Sequence, residues 1–284
     1  TTVSSSANDN FTLVRTKFLN KDMEKGMGLV ASLFLEPTFP EEEIKESIRQ
    51  SLDFNNPAKM DIRDLVQMYS RMEVFGTSNP LGRHFYEKQL TKITSAQVKE
   101  FYQFNYTPKN TKLVISGKPD KAELKKLIEK HFGPWKDAFG EVNGVSFDVP
   151  EIKNKDYSFV NKTKATQAAL YWVKKAPMAN SKDVINFSIV NDAFSRELME
   201  EIREKEGKTY GIYSTYQESE NNGIFNTLTQ VRSEVMLATT QSFDRIINDF
   251  YTRGITAEQL QKAKTAFKSN FESVETPEEW VNYF

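Results

Sequence analysis

At 284 residues, 38% of them hydrophobic, the chain is long enough for two domains with separate cores, and a formal net charge of −1 argues against a nucleic-acid surface. The absence of cysteine excludes a disulfide framework, a thiol nucleophile and a thiolate metal site. No apolar run approaches the roughly 20 residues needed to span a bilayer, and the first residues do not read as a signal peptide.

A short strand is expected around Phe11 to Lys17, followed by an amphipathic helix with Met23, Met27, Val30 and Phe34 on one face. A helix from about Pro40 to Phe54 comes next, then one from Asp61 to Phe75 with Leu65, Met68 and Met72 turned inward. Thr94 and Gln97 have the spacing of a capping box for the helix containing Val98, Phe101 and Tyr102. Leu113 to Ile115 reads as a buried strand, and Leu124, Leu127 and Ile128 mark one face of the next helix. This first unit spans residues 1–139, and residues 140–152, with Gly140, Gly144 and Pro150, read as a linker.

The second unit spans residues 153–284. Strands near Tyr157 to Val160 and Gln167 to Val173 precede a long helix from Lys182 to Glu206. Tyr210 to Glu218 and Gly223 to Val231 read as a hairpin, and helices from about Ser233 to Thr252 and Thr256 to Phe271 follow. Ile93-Thr-Ser-Ala-Gln97 and Ile255-Thr-Ala-Glu-Gln259 echo each other as two capping boxes. Both units are therefore of the α+β class.

The run Arg203-Glu-Lys-Glu-Gly-Lys-Thr-Tyr210 is the most informative stretch. Val190, Phe194, Leu198 and Ile202 recur every fourth residue, and Gly207 then supplies a left-handed C-cap position. Arg203 falls in the last turn of that helix, and Tyr210 near the start of a strand, so a guanidinium and a phenol flank one helix end. Taken alone, the pattern also fits a solvated Arg favoured near a helix C-terminus and a half-buried strand Tyr.

This run resembles the stretch carrying the Arg/Tyr substrate-binding pair in the M16 zinc metallopeptidases, the family of pitrilysin, the insulin-degrading enzymes and the mitochondrial processing peptidase. Further matches follow in the family's order. Pro37-Thr-Phe-Pro-Glu-Glu-Glu-Ile44 resembles the turn into its second long helix, Asn79-Pro-Leu-Gly-Arg83 an interhelical loop, and Ile93 to Tyr102 with Tyr106-Thr-Pro-Lys-Asn110 its closing helix. Thr111-Lys-Leu-Val-Ile-Ser-Gly117 is similar to the strand that follows, and Gly254 to Lys264 to a helix of the family's next domain. The resemblance implies two related domains, each a mainly antiparallel sheet covered by helices.

The family's zinc motif, His-x-x-Glu-His, sets two imidazoles on one helical face and a carboxylate that activates the metal-bound water. This chain has only His84 and His131, neither with a partner at ligand spacing. At the positions of the family's acidic residue and of its Glu ligand seven residues later, counting from Pro40 gives Ser47 and Phe54, or Glu46 and Asp53 after a one-residue shift. No catalytic or metal residue is therefore expected here, and zinc is expected in a partner half. The opening Thr-Thr-Val-Ser-Ser-Ser resembles the segment after the family's metal-binding helix, so that helix is expected upstream. Glu275 to Trp280 reads as the start of a further helix, with a last helix and strand expected downstream.

The resemblance implies a noncatalytic half that holds an extended peptide through Arg203 and Tyr210 for hydrolysis at zinc supplied by another half or subunit. β-Augmentation on the strand after Tyr210, or on its neighbour, would help to hold that peptide. The alternative is a structural subunit of core-protein type. Ser195 lacks the flanking glycines of a nucleophile elbow. The expected partners are a zinc-bearing half and a peptide, without nucleic acid or a membrane span, and the family suggests a bacterial periplasm or cell envelope.

Overall fold

The computed structural model describes residues 2–8, 11–77, 79–84, 87–137, 157–219, 222–274 and 276. Its elements in chain order are β1 (Thr2–Ala7), β2 (Thr12–Lys17), α1 (Met23–Leu35), α2 (Glu41–Phe54), α3 (Ile62–Phe75), α4 (Glu87–Leu90), α5 (Ser95–Asn105) and α6 (Lys121–Phe132). Then come β3 (Gln167–Lys175), α7 (Val184–Leu198), a π-helical segment (Met199–Lys205), β4 (Thr209–Glu218), β5 (Gly223–Arg232), α8 (Met236–Arg253) and α9 (Ala257–Glu272). The fold is α+β with antiparallel pairing throughout its described sheets. The chain forms two compact units, one of residues 1–52, 86–145 and 274–284 and the other of residues 53–85 and 146–273. The expected linker at 140–152 lies outside the described residues, as do all but Thr276 of the helix start expected at 275–280.

In the first unit, β1 and β2 form a hairpin with Thr2 opposite Lys17 and Ala7 opposite Thr12. Sequence reasoning missed β1, because Ser4, Ser5 and Ser6 give it no apolar alternation, and every residue of it is exposed. Met23 and Met27 of α1 bury against Leu127 of α6, with Phe18, Leu124, Ile128 and Phe132 packed around them. Asp120 caps α6 by accepting from the Glu123 N–H at 2.8 Å. At α5 the expected capping box forms in both directions: Gln97 N–H donates to Thr94 Oγ1, and Thr94 N–H donates to Gln97 Oε1. The Tyr102 ring stacks on Tyr106 at 4.4 Å and its hydroxyl donates to the Phe34 carbonyl at 3.0 Å. Burial, helped by Tyr106, pushes that phenol up to about 12.

Leu113 to Ile115 departs from expectation. The segment belongs to no strand, and all three side chains are exposed. Its β-branched composition satisfies the local preference for a strand, but a buried strand also needs a neighbour, and none pairs with it among the described residues.

The second unit is three-layered. Its sheet has the order β3-β5-β4. On one face, Val74 and Phe75 of α3, with Leu81, pack on Val173 and Ile224. On the other, Phe194, Leu198, Ile202, Ile212, Phe243 and Ile246 form the largest buried cluster, capped by Trp172 stacked on Phe243 at 3.9 Å. Glu197 of α7 accepts from Arg253 of α8 and from Gln259 of α9, tying the three helices together. The echoed capping box also forms here, between Thr256 and Gln259.

One further expectation fails in this unit, while of the residues at fourfold spacing Phe194, Leu198 and Ile202 are buried and Val190 is 37% exposed. Tyr157 to Val160 forms no strand and is exposed, since among the described residues β3 pairs with β5 alone.

Thr227, at the centre of β5, is fully buried, and its hydroxyl has no partner among the described residues. Leaving such a group unsatisfied costs roughly 1–3 kcal/mol. Thr227→Val keeps the branched shape and is expected to raise the unfolding free energy by about 1 kcal/mol, measured by denaturant titration.

Candidate functional site

Arg203 and Tyr210 both lie at the junction between the end of the α7 helix and β4, and the backbone is irregular at each. Past Leu198 the helix continues in π register: the Glu206 N–H donates to the Glu201 carbonyl five residues back at 3.0 Å, and the Lys208 N–H reaches the Ile202 carbonyl at 3.1 Å. Single π turns of this kind occur frequently at functional sites. Ile202 is fully buried while the next residue, Arg203, is exposed, and its guanidinium has no hydrogen-bond or ion-pair partner among the described residues.

Gly207 ends the helix with φ +63°, the left-handed conformation expected from the sequence. No atom lies within 4 Å of a Cβ built there, so alanine would meet backbone strain alone. Gly207→Ala is expected to cost about 1–2 kcal/mol and Gly207→Asn less, as read from thermal unfolding.

Tyr210 sits in a β-bulge. Thr209 pairs with Val231 and Ile212 with Thr229, so three steps along β4 match two along β5. Bulges next to active sites re-aim side chains, and Tyr210 stands 92% exposed with no partner for its hydroxyl among the described residues. Buried threonine chemistry holds the bulge. The Gly211 N–H donates to Thr209 Oγ1 at 3.2 Å, and the Thr229 hydroxyl donates to the Gly211 carbonyl at 2.8 Å. The Thr209 hydroxyl lies within donating distance of the Gln230 carbonyl at 2.9 Å and the Gly211 carbonyl at 3.0 Å.

The turn between the two donors is anchored on α8. Glu206 Oε2 accepts from Lys208 Nζ and from Ser242 Oγ, both at 2.7 Å, while its Oε1 accepts from Arg245 at 2.9 Å. Lys208 Nζ also donates to Ser242 Oγ at 2.7 Å and to the Ala238 carbonyl at 3.1 Å. Burial disfavours the charge on Glu206, but the bonds from Lys208 and Ser242 and the charges of Lys208 and Arg245 outweigh it, holding the carboxyl below its ordinary value. Sequence reasoning missed this cluster. Its one legible trace is the i,i+3 spacing of Ser242 and Arg245, which sets them on one helical face.

Other candidates take structural places. Ser195 Oγ accepts from the Ser214 N–H at 3.1 Å and Met199 Sδ from the Ile212 N–H at 3.4 Å. These contacts occupy outward donors of β4 that β-augmentation would need, so a peptide cannot add to this edge at those positions. The Tyr216 hydroxyl donates to the Pro177 carbonyl at 2.6 Å and its ring packs on Phe187, the ordinary strand packing role. Tyr213 is 55% exposed, and its ring lies over Gly211.

A family model described as the peptidase M16 inactive domain matches residues 92–267, more than half of the chain. The chain belongs to the M16 peptidase family. A curated relative, the uncharacterized zinc protease YmxG of Bacillus subtilis, is 21% identical over 92% of this chain. The match spans 63% of that relative's length. Among solved structures, the peptidase M16 inactive domain from Pseudomonas fluorescens superposes with a TM-score of 0.83 at 19% identity, covering 99% of this chain and 69% of that one. The periplasmic protease PqqL from Escherichia coli matches with a TM-score of 0.71 at 16% identity, over 95% of this chain and 31% of its own. These likenesses establish the M16 fold.

The described side chains at the positions considered do not fit the M16 zinc. Among the described residues no group of three His, Asp or Glu could hold a metal ion. Glu46 is taken by Arg49 and Gln50, whose hydrogen bonds draw its carboxyl down to about 2, and Asp53 pairs with Lys59. Ser47 offers only a hydroxyl, and Phe54 is an exposed apolar ring. His84 and His131 belong to different compact units.

Proposed function

We propose that this chain is the substrate-binding half of an M16-type zinc endopeptidase, holding an extended peptide for hydrolysis at zinc supplied by another half or subunit. The observation that carries the reading is that one helix–strand junction holds two exposed donors with no partner among the described residues, each at a local break in regular structure. Arg203 donates to a peptide carbonyl oxygen. Tyr210 donates to the oxygen that becomes anionic when water attacks the scissile carbonyl, which stabilises charge that develops only in the transition state.

Zinc held by the partner half would supply the Lewis acid for that water; every group assigned here to this chain binds or orients the peptide. A bacterial periplasm or cell envelope is the proposed compartment, supported by the likeness to the periplasmic PqqL. The test is peptide hydrolysis by this chain alone and mixed with a zinc-carrying M16 half from the same organism. Activity confined to the mixture and sharply reduced by Arg203→Ala supports the proposal. Inactivity in a verified, stable complex would make the chain a structural subunit.

A further inference from the structure

We infer that Glu206, Lys208, Ser242 and Arg245 form a clamp that positions Arg203 and Tyr210 by locking the turn between them onto α8. The inference rests on the proposed peptide-binding role of that pair. Glu206 lies three residues after Arg203 and Lys208 two before Tyr210, so the clamp grips the connection on both sides of Gly207. Gly207 is the most permissive residue of that connection, and the clamp adds side-chain anchors between the buried Ile202 at one end and the hydrogen-bonded bulge at the other.

The bonding is closed on itself. Lys208 donates to Glu206, to Ser242 and to the Ala238 carbonyl; Ser242 donates to Glu206; Arg245 fills the second carboxylate oxygen. Ser242 is buried, and Glu206 and Lys208 are each about four-fifths covered, with side-chain exposures of 23% and 21%. Charge-assisted bonds at such a site are stronger and more directional than exposed surface pairs. α8 also contributes Phe243 and Ile246 to the largest buried cluster of its unit, so the turn is referenced to a rigid element. Binding groups held by such supporting contacts keep their geometry, whereas a loosely held donor loses the orientation on which its effect depends.

Two measurements on the full chain test this. The first is hydrogen exchange at the amides from Gly207 to Gly211. The second is affinity for a fluorescein-labelled unstructured peptide, read by anisotropy with the zinc half present. Glu206→Gln is nearly isosteric, and Arg245→Met removes only the outermost arm. Glu206→Gln is expected to speed exchange in that segment and weaken peptide affinity, each by about tenfold, while α9 amides keep their protection. Arg245→Met is expected to do the same to a smaller extent. In an Arg203→Ala, Tyr210→Phe background, Glu206→Gln should have no further effect on affinity, which a merely structural contact would not predict.

If Arg203→Ala weakens binding and Glu206→Gln does not, the clamp is overturned while the peptide-binding role stands. Unchanged exchange in Glu206→Gln would also overturn it. If Arg203→Ala and Tyr210→Phe both leave affinity untouched, the peptide-binding role fails first and the positioning role falls with it.

Discussion

Tyr210→Phe, assayed as a complex with a zinc-bearing half, is expected to lower kcat for peptide hydrolysis by about 10²–10³-fold, the usual effect of losing one oxyanion donor, roughly 2.7–4 kcal/mol of barrier. The substitution deletes one oxygen from a side chain that is 92% exposed and bonded to nothing else among the described residues. Folding should therefore shift by no more than about 0.5 kcal/mol, as for surface changes generally. KM should stay nearly constant, because a bond made only in the transition state does not contribute to ground-state binding. Arg203→Ala should behave differently. A guanidinium that holds a peptide carbonyl in ground and transition states alike gives uniform binding, and its loss raises KM more than it lowers kcat. Steady-state kinetics of the two variants side by side separate these roles. Equal effects of both on kcat, with KM unmoved, would assign both donors to the developing anion.

Much of the fold was legible because the determining interactions are local. Thr94 with Gln97 and Thr256 with Gln259 cap their helices through residues three apart, and Gly207 announces the helix end by being the residue that a left-handed cap accepts without penalty. The hairpin of β4 and β5 follows from two alternating runs around a short polar turn. Arg203 and Tyr210 stand out through their spacing and a family resemblance, and both are exposed. What could not be read depends on partners distant in sequence. The local preferences of Leu113 to Ile115 are strand-like, yet the deciding neighbour is absent from the described residues. A π turn leaves Phe194, Leu198 and Ile202 at fourfold spacing, so apolar periodicity does not reveal it. The bulge shows only when β4 is counted against β5. The clamp joins Glu206 to Ser242 across 36 residues, and neither residue type suggests the other.

Ile202→Ala is expected to lower the unfolding free energy by about 2–5 kcal/mol, the range for truncating a fully buried aliphatic side chain. Ile202 has no exposed surface and belongs to the cluster with Leu198, Ile212, Phe243 and Ile246, so the methyl groups removed leave a cavity bounded by helix and sheet together. Alanine is the better helix former by a few tenths of a kcal/mol, too little to offset that loss. Ile202→Val removes one methylene, should cost only about 0.5–1.5 kcal/mol, and carries the poorer helix propensity. If the valine variant were the less stable of the two, helix propensity rather than packing would govern this turn. The adjacent Arg203→Ala, by contrast, should change stability by no more than about 0.5 kcal/mol. Denaturant titration of the three variants would thus show consecutive residues of one π turn divided between two tasks. Ile202 anchors the turn in the core, and that anchor leaves Arg203 facing outward, where a peptide can meet it.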